Sequence, residues 1–203
     1  TIRTVHTRHE QGAAYMALGY AQASGKVGVF AVVPGPGILN ATAALATAAG
    51  SNIPVLGLTG QIPSYQIGLG LGIPHELRDQ TMALQGVVPW VGGAESPAAA
   101  PGLLNQAFQS MLQGRQHPAV FVRAPDSLAR TGAVELPDGF VPPERPQPDP
   151  DAVDAAVRLI ASAKNPAIFV GFGAMDATES LRRFAERIQA PVIMSRSGGG
   201  AID

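Results

Sequence analysis

Short apolar segments alternate with Ala-rich segments of helical spacing through the first part of the chain. The apolar segments are rich in Val, Ile and Phe, are bounded by Gly and Pro, and cover residues 27–33, 53–59 and 119–123. Residues 11–23 and 38–49 suit helices, and residues 2–5 suit a further strand. Because parallel strands are covered on both faces, they form continuous apolar runs rather than alternating ones. The pattern therefore predicts an α/β fold, a parallel sheet flanked by helices.

The pattern changes between residues 131 and 150. This segment holds six prolines, which cannot donate ladder hydrogen bonds, and it predicts an extended linker. A second unit follows, with Asp151 as the cap of a helix through residue 163, a strand at 167–171, a helix at 177–189 and a strand at 191–195. A two-stranded sheet is too small to stand alone. The expected organisation is a first domain over 1–130, a linker over 131–150 and the first part of a second domain over 151–203.

Composition and charge exclude several classes of protein. The 203 residues carry 14 Lys and Arg against 15 Asp and Glu, are 46% hydrophobic and only 14% charged, which argues against disorder. The balanced charge argues against nucleic acid or an anionic membrane as partner, and no apolar run is long enough to span a bilayer. The chain has no Cys, which fits a cytoplasmic protein. So few charges predict that another subunit or domain covers much of the surface.

Glycine-bearing segments follow three of the predicted strands. Gly35-Pro36-Gly37 opens a helix, where backbone N–H groups can meet an anion or a polar ring, but a simple tight turn explains it equally well. Residues 171–173 loosely resemble a dinucleotide loop without its third glycine, so a structural turn is favoured. Residues 197–200 indicate flexibility alone.

Glu10 is the isolated acid of interest, at the start of the first Ala-rich helix. A glutamate there is favoured by the helix dipole, which is the ordinary structural explanation. The next turn is Gly-Ala-Ala, however, so the carboxyl group is expected to be partly desolvated, with a raised pKa suited to proton exchange.

Other polar residues give weaker indications. His6 and His9 pass from a predicted strand to a helix and do not predict a metal site. The Gly-rich loop over residues 60–80 contains a dense polar group that is either functional or a solvated surface. Its members are His75, Glu76, Arg78 and Asp79.

Five ordered motifs resemble a known family. They are RHEQGAA at 8–14, GYAQASGKVGV at 19–29, GPGILN at 35–40, IPV at 53–55 and TGQIP at 59–63. Together they resemble the pyrimidine-binding (PYR) domain of thiamine diphosphate-dependent enzymes, specifically the acetolactate synthase-like group. Residues 151–203 resemble, more weakly, the start of the family's central domain. The resemblance implies a PYR fold that is incomplete at its N-terminus, followed by the start of a Rossmann-like α/β domain, and hence a fragment of a longer enzyme.

The resemblance also implies roles for particular residues. Glu10 matches the glutamate that hydrogen-bonds N1′ of the cofactor aminopyrimidine and promotes the imino tautomer, whose nitrogen removes the thiazolium C2 proton. Pro36 and Asn40 match the turn that walls the pyrimidine, and Val33 stands where acetolactate synthases commonly carry Thr. His75 is the nearest counterpart of the glutamine in a Phe-Gln-Glu tripeptide. The implied cofactor-binding residues are Glu10, Val33, Pro36, Asn40 and His75, with no metal ligand among them.

The implied activity is decarboxylation of a 2-keto acid and transfer of the hydroxyalkyl carbanion to a carbonyl acceptor. The cofactors would be thiamine diphosphate and Mg²⁺, with the Mg²⁺ ligands in a diphosphate-binding domain outside this sequence, and FAD stays open. A homodimer or homotetramer is expected, and the fragment alone is expected to be inactive. Two alternatives remain: a related decarboxylase or lyase of 2-keto acids or acyl-CoA, and a non-catalytic nucleotide-binding scaffold that uses residues 171–173.

Overall fold

The computed structural model divides the chain into two compact units, Thr1–Arg145 and Pro146–Asp203. It describes residues 2–137, 140–144 and 146–202. Residues 138, 139 and 145 of the predicted linker and both terminal residues lie outside the described residues. The domain and linker boundaries expected from the sequence stay a prediction.

The first unit is a four-stranded parallel sheet with helices in the connections, which confirms the predicted α/β class. The strand order is β1-β2-β4-β3. The strands are β1 (Gly28–Val32), β2 (Val55–Gly60), β3 (Trp90–Gly93) and β4 (Ala119–Arg123). The helices are α1 (Glu10–Ser24), α2 (Pro36–Ser51), α3 (Gln80–Gln85), α4 (Ala100–Leu112) and the short α5 (Pro125–Leu128).

The register of the sheet brings the carboxyl ends of β1 and β2 together. Val32 of β1 is paired with Thr59 of β2, and Gly60 of β2 with Arg123 of β4. In open parallel sheets, side chains and loops at the carboxyl ends of the strands build the ligand sites. The turns after β1 and β2 therefore start at the same edge of the sheet.

Small side chains let α1 and α2 pack closely against each other and against β1. The buried alanines are Ala14, Ala17 and Ala21 of α1 and Ala41, Ala44 and Ala48 of α2. A Cβ at Gly28 would overlap the carbonyl oxygen of Ala17, so the backbone of β1 lies directly on α1. A second apolar cluster, which includes Met111 of α4 and Phe121 of β4, is centred on β4 and α4.

The described residues of the second unit include two parallel strands and two α-helices. They are α6 (Pro150–Ser162), β5 (Ile168–Val170), α7 (Thr178–Ile188) and β6 (Val192–Met194), with β5 paired to β6. The predicted cap of α6 was wrong by two residues: Asp149 Oδ1 accepts a hydrogen bond of 3.0 Å from the Asp151 backbone N–H. Pro150 occupies the first helical position, where its missing N–H is no loss.

The predicted strand at residues 2–5 is also wrong. The segment forms no strand in the described part of the chain, and Ile2 and Val5 are exposed. A strand needs a neighbour whose backbone accepts and donates its hydrogen bonds. The sequence did not predict β3, α3 and α4. β3 is short and holds two glycines, and α3 has only about one and a half turns. No helix in the described residues is long and apolar enough to cross a membrane.

Candidate functional site

An open cleft of about 540 Å³ lies at the carboxyl end of β1. It is lined by the segment from Val5 to Glu10 and by Ala13 of α1. Residues 31–34 and Gly60, at the ends of β1 and β2, also line it. The cleft therefore combines a carboxylate and two histidines with an apolar strand end.

Glu10 lines this cleft as the first residue of α1, because His9 caps the helix. His9 has extended backbone geometry, and its Nδ1 accepts a hydrogen bond of 3.1 Å from the Gln11 backbone N–H. That contact satisfies one free N–H of the first turn and starts α1 at Glu10. His9 thus has a capping role, and the acid occupies the first helical position.

Glu10 is held by Asn40 across the α1–α2 contact. The Asn40 Nδ2 atom donates a hydrogen bond of 3.0 Å to Glu10 Oε2. The pKa of Glu10 is lowered, first by a hydrogen bond from its own backbone N–H and then by the Asn40 amide. Burial acts in the opposite direction but is weaker, so the expected rise in the pKa of Glu10 is wrong for this chain.

The Gly35-Pro36-Gly37 turn brings α2 up to this carboxylate. Gly35 has φ of 58° and precedes α2, and Pro36 is at the first helical position. A Cβ at Gly37 would overlap Val33 Cγ2 and lie 3.7 Å from Glu10 Cγ. Only glycine at position 37 therefore lets α2 begin this close to Val33 and Glu10, and the exposed Val33 side chain lines the cleft.

Two polar residues that the sequence did not single out hold this turn. Buried Thr59 donates its hydroxyl to the Val33 carbonyl oxygen at 3.3 Å. Gln80, which is 1% exposed, contacts the backbone of Gly35 and Gly60. Thr59 is the first residue of the TGQIP motif, although no role was inferred for it, and no motif marks Gln80. The burial of this lone glutamine becomes visible only in the fold.

The long loop after β2 covers the turn with its backbone. His75 has φ of 70°, and its backbone would collide with any Cβ at Gly35. The His75 side chain is exposed, so the contact shown is made by the main chain. His75 therefore adjoins the turn through its main chain, without a described side-chain contact to Glu10 or Asn40. Its predicted role in cofactor binding stays a prediction.

The remaining members of the polar group in this loop have local roles. Glu76 accepts hydrogen bonds from three backbone N–H groups of the preceding loop, those of Leu71, Gly72 and Ile73. Asp79 accepts a hydrogen bond of 2.8 Å from the Met82 backbone N–H and caps α3. Both carboxylates order the loop and the helix that follows it.

The beginning of the loop is attached to the turn after β4. The Asp126 carboxylate accepts hydrogen bonds of 2.7 Å from both the backbone N–H and the hydroxyl of Ser64. These two bonds are the main reason that the pKa of Asp126 is lowered, with Arg130 at 3.8 Å adding a smaller contribution. The loop is thus held at both ends.

The glycine segments of the second unit form turns that differ from a dinucleotide-binding loop. Residues 171–173 lead into a 3₁₀ helix, Phe172–Ala177, rather than directly into an α-helix as a dinucleotide loop does. Ser195 Oγ accepts a hydrogen bond from the Gly198 backbone N–H at 3.1 Å. Among the described residues of the chain, no cluster of three or more His, Cys, Asp or Glu could hold a metal ion.

Four of the five predicted site residues meet at the ends of α1 and β1. Glu10 and Asn40 are bonded to each other, Val33 lines the cleft, and Pro36 begins the helix that carries Asn40. Their contacts to a cofactor stay predictions.

Comparison with known proteins identifies the family. The model of the thiamine pyrophosphate enzyme N-terminal TPP binding domain matches residues 1–85, and that of the thiamine pyrophosphate enzyme central domain matches residues 153–203. Thiamine pyrophosphate is another name for thiamine diphosphate, so the resemblance described above is confirmed at the level of the family.

Two curated relatives align with nearly the whole chain. A probable 2-ketoarginine decarboxylase AruI of Pseudomonas aeruginosa is 35% identical over 99% of the chain and 36% of its own length. An acetolactate synthase large subunit of Corynebacterium glutamicum is 36% identical over 95% of the chain and 31% of its own length. The chain thus spans about a third of the length of these relatives. By both domain matches and these relatives, the chain belongs to the thiamine pyrophosphate enzyme family.

Proposed function

We propose that this chain is part of a thiamine diphosphate-dependent enzyme that decarboxylates a 2-keto acid and transfers the resulting hydroxyalkyl group to a carbonyl acceptor. The observation that carries the proposal is the Asn40–Glu10 hydrogen bond beside the cleft at the end of β1. This hydrogen bond orients the Glu10 carboxylate, and a ring placed against Val33 and the glycine turn could reach it.

The residues present fit the pyrimidine part of the cofactor. The absence of a side chain at Gly37 lets α2 begin against Val33 and close to Glu10. The exposed Val33 and Pro36 side chains offer apolar contact to an aromatic ring. When bound, thiamine diphosphate supplies a thiazolium carbon that adds to the keto group and stabilises the negative charge left by carbon dioxide. Mg²⁺ is expected with the diphosphate, on ligands other than the described residues, and FAD is a further cofactor open to test.

Glu10 is the proposed catalytic residue, because its carboxyl oxygen would share a proton with a ring nitrogen of the bound pyrimidine. Its lowered pKa means that the free site carries an anionic acceptor at neutral pH. The anion suits a protonated ring nitrogen as partner, and Asn40 keeps Oε2 in place during the exchange.

The proposed substrate is a small 2-keto acid. Both relatives named above are consistent with this class, one as a probable 2-ketoarginine decarboxylase and the other as an acetolactate synthase. A decarboxylase without carboligation is the second candidate, favoured by the loop in which His75 stands in place of glutamine. We further propose a homodimer or homotetramer for the complete enzyme, which sedimentation analysis would measure.

The test of the catalytic role is Glu10→Gln in the complete enzyme loaded with thiamine diphosphate and Mg²⁺. We expect the cofactor to bind and its C2-proton exchange to slow by about 100-fold or more, because the amide cannot accept and return the proton. Proton–deuterium exchange followed by NMR after acid quench measures the rate.

Gln22→Ala is the matched control, since Gln22 is on the exposed side of the same helix. Exchange in this variant should equal that of the unmodified enzyme. Unchanged exchange in Glu10→Gln would refute the role of Glu10. Incubation with pyruvate or 2-ketoarginine then separates the two candidates: acetolactate supports transfer, and an aldehyde alone supports simple decarboxylation.

A further inference from the structure

We propose that Gln80 is a positioning residue for Glu10: it fixes the Gly35 turn and thereby the start of α2, so that Asn40 reaches the carboxylate. The word catalytic rests on the proposed function. The hydrogen bonds of Gln80 and Asn40 are observed in this chain and do not depend on that function.

Gln80 joins the two turns at the carboxyl edge of the sheet. Its Oε1 accepts a hydrogen bond of 2.8 Å from the Gly35 N–H, and its Nε2 donates one of 2.9 Å to the Gly60 carbonyl oxygen. A backbone N–H can only donate and a carbonyl can only accept, so these partners dictate the orientation of the amide. Few neutral side chains carry a donor and an acceptor at this spacing.

Burial makes both bonds necessary. Gln80 is 1% exposed, and Gly35 is also buried, so water cannot replace a lost partner. An unpartnered buried polar group is strongly disfavoured, and the turn would move to find another partner. On the other side of the turn, Thr59 binds the Val33 carbonyl through a longer contact of 3.3 Å.

The path from Gln80 to Glu10 is short and continuous. The Gly35 carbonyl accepts the first hydrogen bond of α2, from the Leu39 N–H at 3.1 Å. The next residue is Asn40, whose amide donates to Glu10 Oε2. A shift of the Gly35 peptide therefore displaces the first turn of α2 and the amide that holds the carboxylate.

The decisive measurement is the titration of the Glu10 carboxyl carbon by NMR in the full chain. Gln80→Met keeps the approximate volume and removes both bonds, and we expect the pKa of Glu10 to rise. The rise should be partial, because the hydrogen bond from the backbone N–H of Glu10 persists. His6, Arg8 and His9, the charged or titratable neighbours of Glu10 at the cleft, remain in all variants.

Two variants separate positioning from loss of stability. Met111→Ala removes a fully buried side chain in the second apolar cluster, and it should destabilise the chain without moving the pKa of Glu10. Gln80→Glu should retain the pKa of Glu10, since a buried carboxyl stays protonated through this titration and then both donates and accepts.

A double substitution tests the path through Asn40. In an Asn40→Ala background, Gln80→Met should add no further change to the pKa of Glu10, because the amide that transmits the effect is gone. An additional shift in that background would overturn the proposed path.

The outcomes that test the role of Gln80 differ from those that test the proposed enzyme function. An unchanged Glu10 titration in folded Gln80→Met overturns the proposal, whether or not the cofactor binds. If Gln80→Met does not fold, Gln80→Glu decides: raising the pH ionises its buried carboxyl, and the Asn40 side-chain NMR signals must then move. In the complete enzyme, C2-proton exchange should fall about tenfold or more in Gln80→Met; failure of that arm alone would count against the proposed function.

Discussion

Two carboxylates of the first unit, Glu10 and Asp126, are held by hydrogen bonds from uncharged groups. Glu10 accepts one from Asn40, and Asp126 accepts two from Ser64. The pKa of Glu10 is lowered first by a hydrogen bond from its own backbone N–H and then by the Asn40 amide, and the pKa of Asp126 by the hydroxyl and backbone N–H of Ser64, since hydrogen bonds to the charged form favour ionisation. Glu10 is therefore anionic at neutral pH.

Ser64→Ala should raise the pKa of Asp126 by removing the hydroxyl donor, while the backbone N–H still donates. The folded-state pKa lies below the ordinary value of 3.8, so the interaction stabilises the fold above that value and is lost as the pH falls through the folded pKa. Acid unfolding of Ser64→Ala should therefore show a weaker pH dependence below 3.8 than the unmodified chain.

NMR titration of the Asp126 carboxyl carbon measures the shift. Ser162→Ala is a suitable control, because the Ser162 hydroxyl bonds only a neighbouring backbone carbonyl in α6. Identical Asp126 titrations in Ser64→Ala and the unmodified chain would contradict the assignment.

The geometry of the site depends on how α2 begins. Gly35 has φ of 58° and ψ of −118°, a backbone conformation that side chains strongly disfavour, and its missing Cβ admits the backbone of His75. We expect Gly35→Ala to lower the free energy of unfolding by about 2 kcal/mol or more, from backbone strain and overlap together.

Gly50→Ala is the matched control, on the same helix. Gly50 is helical and exposed, with open space where a Cβ would be, so the substitution should stabilise the chain by about 0.5–1 kcal/mol. Urea unfolding followed by circular dichroism measures both changes. Equal changes in the free energy of unfolding for the two substitutions would show that the Gly35 turn does not require glycine.

The sequence predicted helices and strands well where a single pattern, an apolar run or an Ala-rich helical spacing, extends over the whole element. Continuous apolar runs identified β1, β2 and β4, and Ala-rich spacing identified α1 and α2 to within one or two residues at most ends. The motif match also led to Glu10 and Asn40, which the fold joins. The sequence did not predict β3 and α3, because glycine and short length obscure their hydrophobic periodicity. It also did not predict the role of Gln80, which comes from burial by residues distant in sequence.

The two units differ in how their sheets are covered. In the first, β2 is paired on both sides and its residues are largely buried. In the second, β5 and β6 pair with each other and with no other strand of the described residues, and Phe169 and Ile193 are exposed. A two-stranded sheet with open apolar side chains has little to protect its hydrogen bonds.

Amide hydrogen exchange should therefore be slowest in β2 and β4 and markedly faster in β5 and β6 of this chain. Mass spectrometry of peptic peptides covering each pair of strands gives the comparison, and α1 serves as an internal reference for the first unit. Equal protection in both sheets would mean that β5 and β6 are covered in solution.

The alanine-lined contact of α1 with α2 has a consequence for protein engineering. Helices that approach this closely have no spare volume, so a library that enlarges Ala14, Ala17 or Ala44 would mostly yield misfolded variants. In the loop between β2 and α3, the exposed side chains of Tyr65, Ile67 and Leu69 should tolerate far more change. Ser64, His75 and Glu76 hold that loop in place. Retuning this scaffold for a new substrate should diversify the exposed positions and leave the helix pair untouched.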